Sequence, residues 1–290
     1  MCIRDRIQDE DTSENELTEY GDLNVASLMA KNHFVKNMTK DSRFIKWGKL
    51  TDEIGYIQIL TMWLFADLEI PQKLKDSIGL VDAYIEIRHK MHENDYIKKE
   101  VDGVRKIMEV VMTDLMNTNS IVIDLRVNGG GQDAVSFEIL KHFSGHRQQI
   151  ATHKFRFGNK VTTTQGIYVD SSNTPYTKPV YVLTSSKTGS AAEAFAIATM
   201  SMANIKRIGS ATNGAMSTTL DKTLPNGWPF SISNEVYMDN YGNCYENIGV
   251  PVDYELNYPR DVQSFFRSVV DDLDKDKSNI LEAIKSLEDK

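Results

Sequence analysis

A chain of 290 residues, 41% hydrophobic and 26% charged, has the composition of a globular protein and the size of one large or two ordinary domains. Its 41 acidic against 33 basic residues give a formal net charge of −8, which argues against nucleic acid or an anionic membrane as the main partner. Two cysteines are too few for a disulfide framework, no Cys/His pattern calls for a metal or other cofactor, and no apolar run approaches the ~20 residues of a membrane span.

Residues 1–45 run acidic and then basic with few apolar anchors, and read as a leader or the remnant of a preceding domain. The charged opening hexamer, Met1 to Arg6, lacks the apolar h-region of a signal peptide. It resembles a translated sequencing adapter, so the chain is expected to be shortened at its N-terminus. Residues 54–60 are β-rich and short, as a strand requires. Helical spacing follows over 72–92 and 94–117, where Val101, Val104, Ile107, Met108, Val111 and Leu115 share one face. Residues 120–126 form a continuous apolar run typical of a strand buried on both faces. Asn128-Gly129-Gly130-Gly131 ends that run, and 134–143 reads as a helix. Strands and loops are expected over 154–176, and a second buried strand over 179–184. An alanine-rich helix over 190–202 and a short strand over 206–209 follow. Two more strands fall near 230–233 and 236–238, and residues 262–287 carry an amphipathic helix bent around 274–278. Strand, turn and helix in this order predict an α/β fold with a mainly parallel sheet and flanking helices. The expected division is a leader over 1–45, one α/β domain over 46–260 and a helical tail over 261–290, packed on the domain or on a neighbouring subunit.

In such folds sites gather where loops leave the carboxyl ends of strands and meet helix N-termini. Three consecutive glycines at 129–131 let backbone approach a ligand and turn its N–H groups outward, although the segment is neither a Walker A loop nor a dinucleotide fingerprint. A flexible tight turn would have the same composition. Ser190 follows a strand and a glycine and opens a helix of small residues, where backbone N–H groups and the helix dipole favour an oxyanion. The same serine could be a plain N-cap, with Glu193 completing a capping box. Asp124 and Arg126 read as a buried pair that fixes the glycine turn. Tyr237, Tyr241, Tyr245 and Trp228 read as packing rather than as a cleft. The histidines at 89, 92, 142, 146 and 153 read as surface residues.

The strand–Asn128-Gly-Gly-Gly turn, Gly189-Ser190-Ala-Ala-Glu193, Ile208-Gly-Ser-Ala-Thr-Asn-Gly214, Leu224-Pro-Asn-Gly-Trp228 and Glu246-Asn-Ile-Gly-Val-Pro-Val-Asp253 occur in one order. Together they resemble the serine peptidases of the C-terminal processing (tail-specific) and tricorn-core family, over roughly residues 47–258. The resemblance implies a crotonase/ClpP-like domain and a polypeptide substrate attacked by Ser190. It implies an oxyanion hole from the Gly130 and Ala191 N–H groups, and places Gly129, Gly131, Asn213 and Gly214 in substrate binding. No metal or cofactor is implied, a homo-oligomer stays open, and a periplasmic or secreted location is an implication of the family alone. The processing branch uses a lysine 25 residues after its serine, where this chain has Ala215. The tricorn-like branch uses a histidine from an upstream segment and a glutamate, which Glu246 matches. No histidine stands in the family's context. His33 is nearest in order, and the base is expected to lie in a missing N-terminal portion. A peptide- or apolar-ligand-binding module on the same scaffold is the alternative.

Overall fold

The computed structural model describes residues 34–39 and 44–289. Its main sheet has the order β1-β2-β3-β7-β8-β12, built from Ile45–Lys49 (β1), Ile54–Ile59 (β2), Ser120–Asp124 (β3), Val180–Thr184 (β7), Ile205–Gly209 (β8) and Tyr254–Glu255 (β12). β1 is antiparallel to β2, and every other neighbouring pair is parallel. The α/β architecture with a largely parallel sheet and flanking helices is therefore the one expected.

Side chains alternate across this sheet, so two helical layers can be filled from consecutive residues of one strand. Ile57, Ile59, Ile121, Ile123, Val180 and Val182 face one core. That core is closed by helices Glu93–Leu115 (α3), Asp133–Leu140 (α4) and Ala191–Thr199 (α5) through Val104, Met108, Val111, Val135, Ile139 and Phe195. The intervening Tyr56, Leu60, Val122, Tyr181 and Leu183 face the other core. There they meet Phe265, Phe266 and Val269 of α6 (Val262–Val270) and Ile280, Ala283 and Ile284 of α7 (Leu273–Glu288). Phe34 and Val35, within the expected leader, are buried in this second core, and Lys36 bridges to Lys49 of β1. His33 and the remainder of residues 1–33 lie outside the described residues, as does the opening hexamer.

A second, antiparallel sheet packs over α4 and α5. Its central strand Gln148–Phe157 (β4) pairs with Gln165–Val169 (β6), Glu235–Met238 (β11) and the short Lys160–Val161 (β5). Thr219–Thr223 (β9) and Pro229–Ser233 (β10) form an exposed two-stranded ribbon between β8 and β11.

Several local expectations are corrected. The helical stretch over 72–92 is two helices, Gln72–Ile78 (α1) and Leu80–Arg88 (α2), because Gly79 sits at φ +80° and breaks the ladder. The C-terminal bend falls at Asp271–Asp272 rather than within 274–278, where Asp272 caps α7 through the Lys275 N–H (2.9 Å). β1, β9 and β12 were not expected. Their residues carry weak alternation, and pairing with a neighbour selects the strand.

The Asp124–Arg126 pair is buried as expected, but it belongs to a larger network. Asp124 accepts from Arg126 Nη2 (2.6 Å) and Tyr56 Oη (2.6 Å), and Arg126 Nη1 donates to Asp276 of α7 (2.8 Å). Tyr258 Oη donates to the other oxygen of Asp276 (2.7 Å). Burial pulls the guanidinium pKa down, but the two aspartates outweigh it and hold Arg126 well above its ordinary value. The segment leading to the glycine turn is thereby tied to the C-terminal helix.

Candidate active site

β3, β7 and β8 are neighbours and parallel, so the turns leaving their carboxyl ends must meet. β3 delivers residues 128–131, β7 delivers 185–190 and β8 delivers 210–215. Gly189 N–H donates to Asn128 O (3.0 Å), and Asn213 N–H donates to Thr188 O (2.8 Å), which stitches the three turns together.

Ser190 stands at their junction. It is exposed although its neighbours Thr188, Gly189, Ala191 and Ala192 are buried. Its backbone has φ 51° and ψ −125°, a region that costs a non-glycine residue about 1–3 kcal/mol. Such a turn presents the hydroxyl at the mouth of a helix N-terminus, as the strand–turn–helix of a serine nucleophile does. The Ser190 N–H is shared between Ala215 O (3.0 Å) and Glu193 Oε2 (3.1 Å).

Glu193 does more than cap the helix. Fully buried, it accepts from Thr212 Oγ1 (2.6 Å) and Gly214 N–H (2.6 Å) on one oxygen, and from Ala215 N–H (2.8 Å) and Ser190 N–H on the other. Burial pushes its pKa up, and the four hydrogen bonds act against that push. This carboxylate locks the 212–215 loop onto the serine turn. The spacing suggested only its contact with Ser190.

The glycine turn abuts the serine. A Cβ on Gly130, at φ +104°, would lie 2.6 Å from Ser190 Cβ, 2.7 Å from Gly189 O and 3.0 Å from Ala191 N. Only glycine allows this approach. The Gly130 N–H, however, donates to Asn128 Oδ1 (2.9 Å), while Asn128 Nδ2 reaches back to Ile59 O (3.0 Å). The Gly130 carbonyl accepts from Met62 N–H (2.9 Å) and Thr61 Oγ1 (3.2 Å). Gly131 is exposed, and its N–H has no acceptor among the described residues. Ala191 is the first residue of α5, so its N–H lacks an intrahelical acceptor. Asn128 had no assigned role in the sequence, although an Asn before a glycine turn is a familiar backbone anchor. Beyond Met62, the segment is held by buried Glu100, which accepts from Leu64 N–H (3.0 Å), Phe65 N–H (2.7 Å), Tyr84 Oη (2.6 Å) and Tyr96 Oη (2.6 Å).

The other predicted residues are placed as follows. Gly129 lies half-buried in the turn, under Gly189. Asn213 is exposed beside Gly189, with its side chain donating to Ser186 O (2.9 Å). Gly214, at φ +83°, lets the loop meet the backbone of Asn247 and Ile248, and Asn247 N–H donates to its carbonyl (2.7 Å). Glu246 does not meet a histidine among the described residues. Its Oε2 accepts from Met216 N–H (2.9 Å) and Ser217 N–H (3.1 Å), just beyond Ala215. Ala215, at the lysine position of the processing branch, is exposed next to Ser190.

His89, His92 and His146 are exposed as expected. His142 is not a surface residue. It is 7% exposed, and burial followed by the Lys141 charge pushes its pKa down to about 4. His153 is half-buried and pairs through Nδ1 with Glu235, which also takes the Thr218 hydroxyl. Among the described residues no hydrogen bond joins a histidine to Ser190. Tyr237 is buried packing, as expected, whereas Trp228 and Tyr241 are exposed.

The model of the family described as "Peptidase family S41" matches residues 53–256. Among solved structures, a candidate peptidase from Parabacteroides merdae ATCC 43184 is similar at 19% identity and a TM-score of 0.61, covering 80% of this chain and 63% of that one. Mature CPAF complexed with lactacystin is similar at 14% identity and a TM-score of 0.61, covering 87% and 57%. A lipoprotein from Streptococcus agalactiae is similar at 20% identity and a TM-score of 0.51, covering 79% and 71%. This chain thus spans about three-fifths of the Parabacteroides and CPAF chains. At these identities the likeness is one of fold.

Proposed function

This chain belongs to peptidase family S41, and from that premise we propose that it acts as a serine-type peptidase with Ser190 as nucleophile. The observation that carries the reading is Ser190 itself, a non-glycine residue at φ 51° and ψ −125°, exposed at a helix N-terminus and abutted by Gly130. Ser190 Oγ bonds to the peptide carbonyl carbon while its proton passes to a base. The carbonyl oxygen, now an anion, turns to the Ala191 N–H and the glycine turn. Within that turn the Gly131 donor is open, and the Gly130 donor is held by Asn128. The base returns the proton to the leaving amine as the C–N bond breaks, and water then releases the acyl group from Ser190. The resemblance to the tricorn-like branch implies a histidine base N-terminal to the region of Trp47. Glu246 acts on this site through the 216–217 backbone it pins beside Ser190.

No helix among the described residues is long and apolar enough to cross a membrane. A substrate polypeptide would lie over the exposed Gly131, Asn213 and Ala215.

The test is labelling with a fluorophosphonate probe, read by intact mass beside Ser190→Ala. One adduct, lost in Ser190→Ala, supports the reading and places an activating base within these 290 residues, against the expectation that the base lies upstream. No adduct in the unsubstituted chain overturns catalysis by this chain alone; in an N-terminally extended chain that carries an upstream histidine, recovered labelling supports the peptidase and continued silence supports ligand binding without cleavage.

A further inference from the structure

A second group of polar side chains sits beside Ser190 and takes no part in the chemistry above. Asp133 opens α4 three residues after Gly130, within about 11 Å of chain. It is half-buried, and its carboxylate accepts no hydrogen bond among the described residues. Phe137, one turn along the same face of α4, packs on the cluster that holds Tyr237, and Glu235 and His153 of the second sheet are the charged groups that act on the Asp133 carboxyl. Glu235 is already engaged by His153 and Thr218. Tyr237, opposite His153 in the β4–β11 ladder, is 3% exposed, and its hydroxyl has no partner. Burial, then the charges of Asp133 and Glu235, suppress the acidity of that phenol, so it lies in the field of both acids. Tyr237 packs in one cluster with Ala194 and Met216. Ala194 N–H donates to Ser190 O (3.1 Å), and Met216 follows the residue whose carbonyl takes the Ser190 N–H. The group is therefore bounded on one side by the glycine turn and on the other by the neighbours of the serine.

We propose that Asp133, Glu235 and the Tyr237 hydroxyl form an acidic recess that receives a lysine or arginine side chain of the substrate, next to the bond presented to Ser190. This rests on the peptidase reading and adds the class of substrate. An unpaired carboxylate and an orphaned buried hydroxyl each lack what a cationic side chain supplies. An ammonium or guanidinium donates to the Asp133 carboxylate and to Tyr237 Oη, while the phenolic O–H turns to an acid. Burial and the Glu235 charge push Asp133 up to about 6, against a smaller downward pull from His153, which is itself paired with Glu235. A neutral side chain leaves both groups unpaired, and an acidic one adds a third negative charge.

The experiment uses the Ser190→Ala chain, so that binding is read without cleavage, and fluorescein-labelled alanine hexapeptides with one central lysine, arginine, norleucine or glutamate. In anisotropy titrations the lysine and arginine peptides should bind about tenfold more tightly than norleucine, with glutamate weakest. Adding Asp133→Asn should abolish the difference. Adding Tyr237→Phe, which removes only an unpaired hydroxyl and so leaves folding intact, should reduce it severalfold. Equal affinity for lysine and norleucine, a preference that survives Asp133→Asn, or no binding of any peptide overturns the recess. Probe labelling of Ser190 in the unsubstituted chain is independent of these titrations. A chain that is labelled yet shows no basic preference refutes the recess alone.

Discussion

Glu193→Gln changes one atom type at the centre of the site, and the structure gives its cost. A carboxylate is acceptor-only, which suits four donors, whereas an amide offers one acceptor oxygen and an NH2 group. The Gln amide keeps its oxygen towards Ser190 and Ala215, because Thr212 on the other side has a hydroxyl that can accept. Thr212 Oγ1 already takes the Val250 N–H (2.7 Å) but has a second lone pair. The Gly214 N–H, buried and now facing an NH2, has nowhere to turn. One orphaned donor costs about 1–3 kcal/mol, and the remaining bonds lose the strength that charge gave them. Relief from burying the charge, the cause of its raised pKa, works the other way. The net expectation is a loss of about 2–3 kcal/mol, or roughly 5–10 °C in Tm for a domain of this size. Urea and thermal unfolding followed by circular dichroism measure it, and the rate of fluorophosphonate labelling should fall with it as the 212–215 loop leaves the serine turn. A variant within 0.5 kcal/mol of the parent with an unchanged labelling rate would refute the argument.

Gly130→Ala should leave the far-ultraviolet spectrum intact but lower stability by about 2–4 kcal/mol, since its Cβ meets Ser190 and Gly189 at φ +104°. Probe labelling should vanish, and labelling at the parental rate would show that the turn does not abut the serine. In the buried network, Arg126→Met should cost at least about 3–5 kcal/mol because it strands two carboxylates, whereas Asp276→Asn leaves a one-to-one Asp124–Arg126 pair and should cost much less. Chemical denaturation giving the reverse order would contradict the network. For His142 the folded pKa of about 4 lies below the ordinary 6.5. Its contribution is therefore present above pH 6.5 and lost as pH falls towards 4, up to about 3 kcal/mol. His142→Leu should flatten the acid side of the stability curve, and an unchanged curve would mean that His142 charges freely in the fold.

The order of elements was legible because each depends on its own stretch of chain. Apolar runs at 121–123 and 180–183 mark strands covered on both faces, and the face shared by Val104, Met108, Val111 and Leu115 marks the long helix. The serine turn was legible for the same reason, since strand, glycine, serine and a small-residue helix are contiguous. His142 was misjudged because its burial comes from a short 3-10 turn tucked under the Tyr176 backbone, a contact 34 residues away in sequence. The weak strands at 45–49, 219–223 and 254–255 escaped notice because a partner, more than their composition, makes them strands.

The sequence by itself determined which residues can supply the chemistry: a serine at a helix N-terminus, glycines able to come close, and a parallel sheet to carry both. Only the tertiary structure decided how they are used. It anchored Asn128 on Ile59, joined the serine turn to the 212–215 loop through Glu193, aimed Glu246 at the 216–217 backbone, and set Asp133 of α4 in the field of Glu235 of β11. The physical reason is range. Helix and strand follow from neighbours within a few residues, but a hydrogen bond or a field between groups 60 or 100 positions apart exists only once β3, β7 and β8 lie side by side and the second sheet closes over α4 and α5.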